Sequence, residues 1–393
     1  MRAVQIVQQN IRRHAEFLHA KRWSALWRVV EALVVSRRLW LTGLGRAVAG
    51  PESDRHRVKV VDRLVGSAAI QRALPELYGA LALTLLRGIA RPCILVDWTG
   101  GGSKFYILSA KLCFKGRAIS IFSKTFPVEL KCTPRAQREF LDLLRRVLPP
   151  HCTPVLVTDA GFLMNWFDDV RRLGWHYVGR VRGSLHVVCN EEYIPLTDLH
   201  LMATRKPKDL GLRVVGKSHP REARLVLSSK KKLKGRVNIT TLGTPRQRTA
   251  DHQRSKAERE PWLLATSLDD RARSVVDIYS TRMQIEQTFR DLKNHRFGWS
   301  LADARCRTPA RVDVLLLLAA LAALVVHAVG IAAAARKMQR RFQINTEKIR
   351  AVFSTLFLGG LMIERGLDAT LDSRDLRKAF QDLQRTLGVA SGV

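Results

Sequence analysis

The sequence predicts an α/β protein: a mixed sheet flanked by helices, with a basic β-rich insertion and helical regions at both ends. Three observations lead there. Short apolar runs bounded by turn residues appear from residue 92, first as three strand patterns in succession and then in alternation with helical periodicity. That rhythm breaks between residues 184 and 261 into charge-dense, turn-rich sequence, and resumes at "PWLLATSL". The stretches before and after carry helical patterning rich in basic residues.

Taken in order, residues 1–90 read as a helical region suited to DNA. Trp23, Trp27 and Trp40 stand among basic residues, and the turn "AGPESD" offers Ser53 or Asp54 to cap the helix "RHRVKVVDRLVGS". Arg37, Arg38, Arg55, Arg57, Lys59 and Arg63 suit contacts with a nucleic-acid backbone, although the pattern does not spell out a helix-turn-helix. Residues 91–183 form the first part of a sheet domain. "CILVDWT" is a short apolar strand, and "KFYILSAKLCF" and "RAISIFSKTF" are two more, joined through "KGR" as a hairpin. A helix over 134–147 follows, then the buried strand "PVLVTD", a helix over 163–173 and the strand "HYVGRVRG". This order fits a ribonuclease-H-like arrangement.

Residues 184–261 read as a basic β-rich insertion with strand candidates "LRVVGK", "EARLVL" and "RVNITTL" among "TRKPKDLG", "SSKKKLKG" and "GTPRQRTADHQRSKAERE". Residues 262–335 complete the sheet domain with a strand, a helix containing "YSTRMQIEQTFRDLK" and an apolar helix. Residues 336–393 form a helical C-terminal region for dimerisation or DNA contacts. The apolar stretch "VLLLLAALAALVVHAVGIAAAA", residues 314–335, is close to the ~20 residues that span a bilayer. Hydropathy alone leaves a membrane helix and a buried core helix equally open.

Composition narrows the partners. In 393 residues, 67 Lys and Arg stand against 34 Asp and Glu, a formal net charge of +33 spread along the whole chain. Such a field attracts polyanions, of which nucleic acid is the commonest; an anionic membrane surface and an Arg-rich coding background are the competing accounts. The six cysteines form no CxxC pair, so they read as reduced thiols of a cytoplasmic protein and not as a disulfide frame or zinc site. "MRAVQIVQQNIRRHAEF" lacks the apolar core of a signal peptide.

Two acids stand at the ends of apolar strands, Asp97 in "ILVDWTG" and Asp159 in "VLVTDAGF", where α/β folds place ligands. A third, Glu286, lies on the helix after the insertion. Two strand aspartates and a helix glutamate can hold two divalent cations for in-line attack at phosphorus, because hard oxygen ligands suit Mg²⁺ or Mn²⁺. If residues 279–293 form one helix, Tyr279, Arg282, Glu286, Arg290 and Lys293 fall on one narrow stripe, while Ile278, Ile285, Phe289 and Leu292 form a neighbouring apolar face. Cations beside a carboxylate would grip phosphates next to the metals.

The spacing Tyr279-x₂-Arg282-x₃-Glu286-x₆-Lys293 resembles the Tyr-Arg-Glu-Lys signature of DDE-type transposases of bacterial insertion sequences. Asp159 follows Asp97 by 159 − 97 = 62 residues, and Glu286 follows Asp159 by 286 − 159 = 127, with a β insertion between. The resemblance covers about residues 55–335. It implies that Asp97, Asp159 and Glu286 are a catalytic triad holding two Mg²⁺ ions, for which Mn²⁺ can substitute, and that Tyr279, Arg282 and Lys293 contact the cleaved DNA end, with Arg290 beside them. Trp262 occupies the place of a tryptophan that stacks on a flipped base in hairpin-forming relatives; a strand tryptophan in the core is the alternative. Relatives often carry "DRGF" where this chain has Ala160, which removes one expected phosphate contact.

The resemblance further implies a buried helix at 314–335, a cytoplasmic, nucleoid-associated protein with no membrane partner, and a homodimer that synapses double-stranded transposon ends and joins them to target DNA. The expected activity is cut-and-paste transposition: binding of terminal inverted repeats, end cleavage and transesterification by the freed 3′-hydroxyls. A nuclease of the same fold and a non-catalytic DNA-binding inhibitor derived from a transposase are the alternatives.

Overall fold

The structure is a computed structural model that describes residues 1–101, 104–229, 260–294, 298–344 and 352–390. It has the mixed α/β architecture expected, strands covered by helices, and divides into two compact units. The first contains Met1–Val155 and Thr281–Val393; the second is Leu156–Ser280.

In the first unit, the antiparallel strands β1 (Cys93–Gly100), β2 (Phe105–Cys113) and β3 (Ala118–Pro127) lie in the order β3-β2-β1. Almost every residue of β2 is buried, and because successive side chains point to opposite faces, both faces must be covered. β3 touches the helices Leu74–Leu85 and Pro134–Val147 as well as the long apolar helix Pro309–Ala335. Thr133 caps the Pro134–Val147 helix by accepting from Ala136 N at 3.3 Å, with Pro134 at its first position.

The long helix settles the question that hydropathy left open. It is 27 residues of high mean hydropathy, yet 89% of its most apolar window is buried inside the protein, against β3 and several N- and C-terminal helices. Asp313, near its start and only 3% exposed, accepts from Thr125 N at 2.7 Å and lies 3.4 Å from Lys124 Nζ. A helix apolar on all sides is here the core of the unit. It meets the Thr355–Glu364 helix so closely that a Cβ on Gly330 would stand 1.8 Å from Thr355 O.

The N-terminal region is helical as expected, from Arg2–Arg12 through Leu74–Leu85. Ser53, not Asp54, caps the fourth helix, Asp54–Val65, accepting from His56 N at 3.4 Å. Trp23 and Trp27 are core residues with ring centroids 5.6 Å apart. Arg38, Arg55, Lys59 and Arg63 are exposed, but Arg37 packs over Trp299 at 5.7 Å, and burial lowers its pKa. Its guanidinium serves the fold and not a surface.

In the second unit the strands are β4 (Val155–Thr158, whose first residue belongs to the first unit), β5 (His176–Arg180), β6 (His186–Cys189), β7 (Glu192–Pro195), β8 (Lys208–Val215), β9 (Arg221–Ser228) and β10 (Trp262–Thr266). Their order is β4-β5-β10-β9-β8-β6-β7. The helix Met164–Arg172 joins β4 to its neighbour β5. β10 is antiparallel to both β5 and β9, so the insertion strands extend the sheet beyond β10. "LRVVGK" and "EARLVL" fall in β8 and β9, whereas "RVNITTL" and most of the flanking basic sequence, residues 230–259, lie outside the described residues. Residues 345–351 of the basic C-terminal stretch also lie outside them.

The helix predicted across residues 279–293 is in fact two. One ends at Ser280 and the next runs Met283–Lys293, with a turn at Thr281–Arg282. Ser280 Oγ donates back to Asp277 O at 2.6 Å, and Thr281 Oγ1 lies 3.2 Å from Cys113 Sγ. Hydroxyl side chains that compete for local partners weaken a helix from within, and here two stand in succession.

Candidate active site

Within the first unit, Asp97 and Glu286 converge on one guanidinium. β1 carries Asp97 at the end of the buried run Ile94–Val96, and the Met283–Lys293 helix carries Glu286 one turn from its start. Arg282 Nη1 lies 3.3 Å from Asp97 Oδ2, and its Nη2 lies 2.5 Å from Glu286 Oε1. Asp97 Oδ1 also accepts from Trp98 N at 2.7 Å. The three side chains are 13%, 15% and 33% exposed for Asp97, Arg282 and Glu286, so their charges are poorly screened and yet reachable.

Lys293 closes the group. A Cβ on Gly100, the last residue of β1, would stand 3.9 Å from Lys293 Nζ, and burial lowers the Lys293 pKa while Asp97 opposes the shift. Arg290 is exposed on the same helix. Ile285, Phe289 and Leu292 are buried, as the apolar face predicted. Arg282, Glu286, Arg290 and Lys293 therefore keep their stripe at the start of and along the Met283–Lys293 helix, and Tyr279 stands on the preceding helix.

Tyr279 belongs to the second unit and is 3% exposed. Its ring meets Trp262, the first residue of β10, edge-on at 4.9 Å between centroids and 77° between planes. Trp262 is only half-buried. The helix expected to carry both Tyr279 and Arg282 is not continuous: it ends at Ser280, and Tyr279 stands on the first piece.

Asp159, also in the second unit, follows β4 directly and is half-exposed. Its Oδ1 accepts from Gly161 N at 2.8 Å, a local turn contact that Ala160 does not disturb. Among the described residues, no three acidic, histidine or cysteine side chains are gathered as a metal-holding group. The donor chemistry of the first unit nevertheless suits a divalent cation: two carboxylates, both hard oxygen donors, turn toward a single positive group.

Sequence reasoning passed over the opposite polar face of the helix, Gln284, Thr288 and Asp291, although their spacing of four and then three residues was there to read. It also passed over Lys111, buried in β2 behind that face, which only the folded structure reveals as a charge inside the core.

No curated protein matches the chain. Residues 133–325 match the family model of the transposase DDE domain, a stretch that includes Asp159 and Glu286 and begins after Asp97. Chains of this family are transposases, with DNA as substrate and divalent metal ions in their chemistry. With its mixed sheet flanked by helices and its glutamate helix inside the matched stretch, this chain carries a DDE-type transposase domain of ribonuclease-H-like fold.

Proposed function

We propose that the protein is a cut-and-paste DNA transposase that binds the terminal inverted repeats of its element, cleaves the ends and joins the 3′-hydroxyls to target DNA. The observation that carries this reading is the convergence of Asp97 and Glu286 on Arg282, with Lys293 beside them. Two carboxylates held this close repel each other unless positive charge lies between them. Asp97 and Glu286, with Asp159, are the residues that would hold Mg²⁺, or Mn²⁺ in its place, two ions to a site. Bound there, divalent metal would lower the pKa of a water or 3′-hydroxyl and stabilise the leaving oxygen.

The chain's own groups do the rest. Arg282 is placed to exchange its carboxylate partners for a phosphate, since its planar fork suits either anion. Lys293 and the exposed Arg290 supply further positive charge along the DNA strand. Trp262, half-exposed and backed by Tyr279, would offer its ring to a base lifted from the duplex, with Tyr279 holding it in place. Residues 1–90 would bind the repeat ends, residues 184–261 would add backbone contacts, and residues 336–393 would support the synaptic homodimer.

The test is cleavage of a labelled DNA fragment bearing the gene's own flanks, in Mg²⁺ and in Mn²⁺, by wild type and by Glu286→Gln. Cutting at the repeat ends and strand transfer by the wild type alone support the proposal. Hydrolysis without joining favours a nuclease of the same fold, and specific binding without cutting in either metal favours a DNA-binding inhibitor. Equal cutting by both proteins removes Glu286 from the mechanism.

A further inference from the structure

The Met283–Lys293 helix buries Ile285, Phe289 and Leu292, but apolar packing is non-directional and does not by itself fix where a helix stops along its axis. Hydrogen bonds do, because they have direction and narrow length. Gln284, Thr288 and Asp291 share a second face of this helix, and each engages the turn between β2 and β3. Phe114 N donates to Gln284 Oε1 at 2.8 Å. Ala118 N donates to Thr288 Oγ1 at 2.8 Å, and that hydroxyl also lies 3.2 Å from Ala118 O and 2.9 Å from Gln284 O. Arg117 Nε donates to Asp291 Oδ2 at 2.6 Å, in a pair whose side chains are only 23% and 22% exposed. Gly116, at φ +70°, takes the left-handed conformation that the turn needs.

Glu286 lies in sequence between the first two of these attachments. The same hairpin also carries the other carboxylate's support, because β2 pairs with β1 and sets Ser109 opposite Asp97. One β-hairpin therefore spans from the strand of Asp97 to the helix of Glu286. We propose that the β2–β3 turn sets the separation of the two carboxylates by gripping the helix at Gln284 and Thr288, which makes these two positioning residues of the metal site. This rests on the assignment of Asp97 and Glu286 to metal binding. Neither Gln284 nor Thr288 touches the reacting atoms; each acts through Glu286.

The experiment measures Mn²⁺ binding by calorimetry and the Mn²⁺ dependence of end cleavage on the full chain. The variants are Thr288→Val and Gln284→Met, which lose the acceptor, Thr288→Ser and Gln284→Glu, which keep it, and Glu286→Gln. Loss of either acceptor raises the Mn²⁺ dissociation constant and the Mn²⁺ half-saturation of cleavage about 10-fold, while affinity for end DNA is unchanged. The acceptor-keeping variants recover wild-type values. Wild-type metal binding by Thr288→Val and Gln284→Met, beside its loss in Glu286→Gln, overturns the positioning role and leaves the metal site standing. Wild-type metal binding by Glu286→Gln overturns both. Should Thr288→Val not fold, Gln284→Met at the wild-type melting temperature decides the matter.

Discussion

Lys111→Met is expected to flatten the alkaline limb of the stability curve. Lys111 is 2% exposed in β2, with Nζ 2.9 Å from Ser120 Oγ and 4.8 Å from the centre of the Phe289 ring. Burial pulls its pKa down to about 7, against a weaker opposing pull from Asp291. The unfolded chain holds this proton up to its ordinary value of 10.5, so between about 7 and 10.5 the unfolded state binds more protons and stability rises with pH. Below about 7 the destabilisation is complete, because both states are charged. Between pH 7 and pH 9 the wild type should gain about 2 kcal/mol that the methionine variant does not. The lost Nζ contact with Ser120 costs roughly 1 kcal/mol at every pH and so leaves the slope untouched. Urea unfolding of both proteins at the two pH values measures the difference directly. Parallel curves would refute the claim that a core lysine is being neutralised by burial.

His327, 2% exposed on the long apolar helix and 2.8 Å from Thr355 Oγ1, is pushed by burial to a pKa of about 3, so it must charge on unfolding in acid. As pH falls from 6.5 to 4.5, His327→Gln should keep about 2 kcal/mol of stability that the wild type loses, read from denaturant midpoints; equal losses would count against it. Lys293→Gln should weaken binding of repeat-end DNA and reduce the slope of log affinity against log salt by about 0.9, as loss of one phosphate contact requires. An unchanged slope in a salt titration would take Lys293 out of the DNA interface.

Local signals were readable wherever the physics was local. Thr133 and Pro134 announce a helix start because a cap and a fixed φ act within one turn, and the structure begins that helix at Pro134. The run Val155–Thr158 reads as a strand because four consecutive apolar or β-branched residues leave no helical stripe. Asp97, Asp159 and Glu286 were legible as candidate metal-binding acids, and the fold brings Asp97 and Glu286 to Arg282. What the sequence could not show depended on distant partners. The break at Thr281 involves Cys113, Tyr279 is buried against Trp262, and Arg37 is taken from the surface by Trp299. Composition likewise cannot separate a core helix from a membrane helix, since both are apolar all round; only the elements surrounding Pro309–Ala335 distinguish them.

The hydrogen bond from Thr125 to Asp313 joins residues 188 positions apart. For a chain emerging from the ribosome at roughly 5–20 residues per second, that separation is a wait of about 10–40 s. During that interval the hairpin of β2 and β3 exists without the helix that covers it, and the strand of Asp97 without the helix of Glu286. The second unit, Leu156–Ser280, is meanwhile complete in sequence and free to fold first. A message broken between the codons of β3 and those of the long apolar helix would thus yield a chain with exposed apolar strands, a substrate for proteolysis instead of a partly active cutter of DNA.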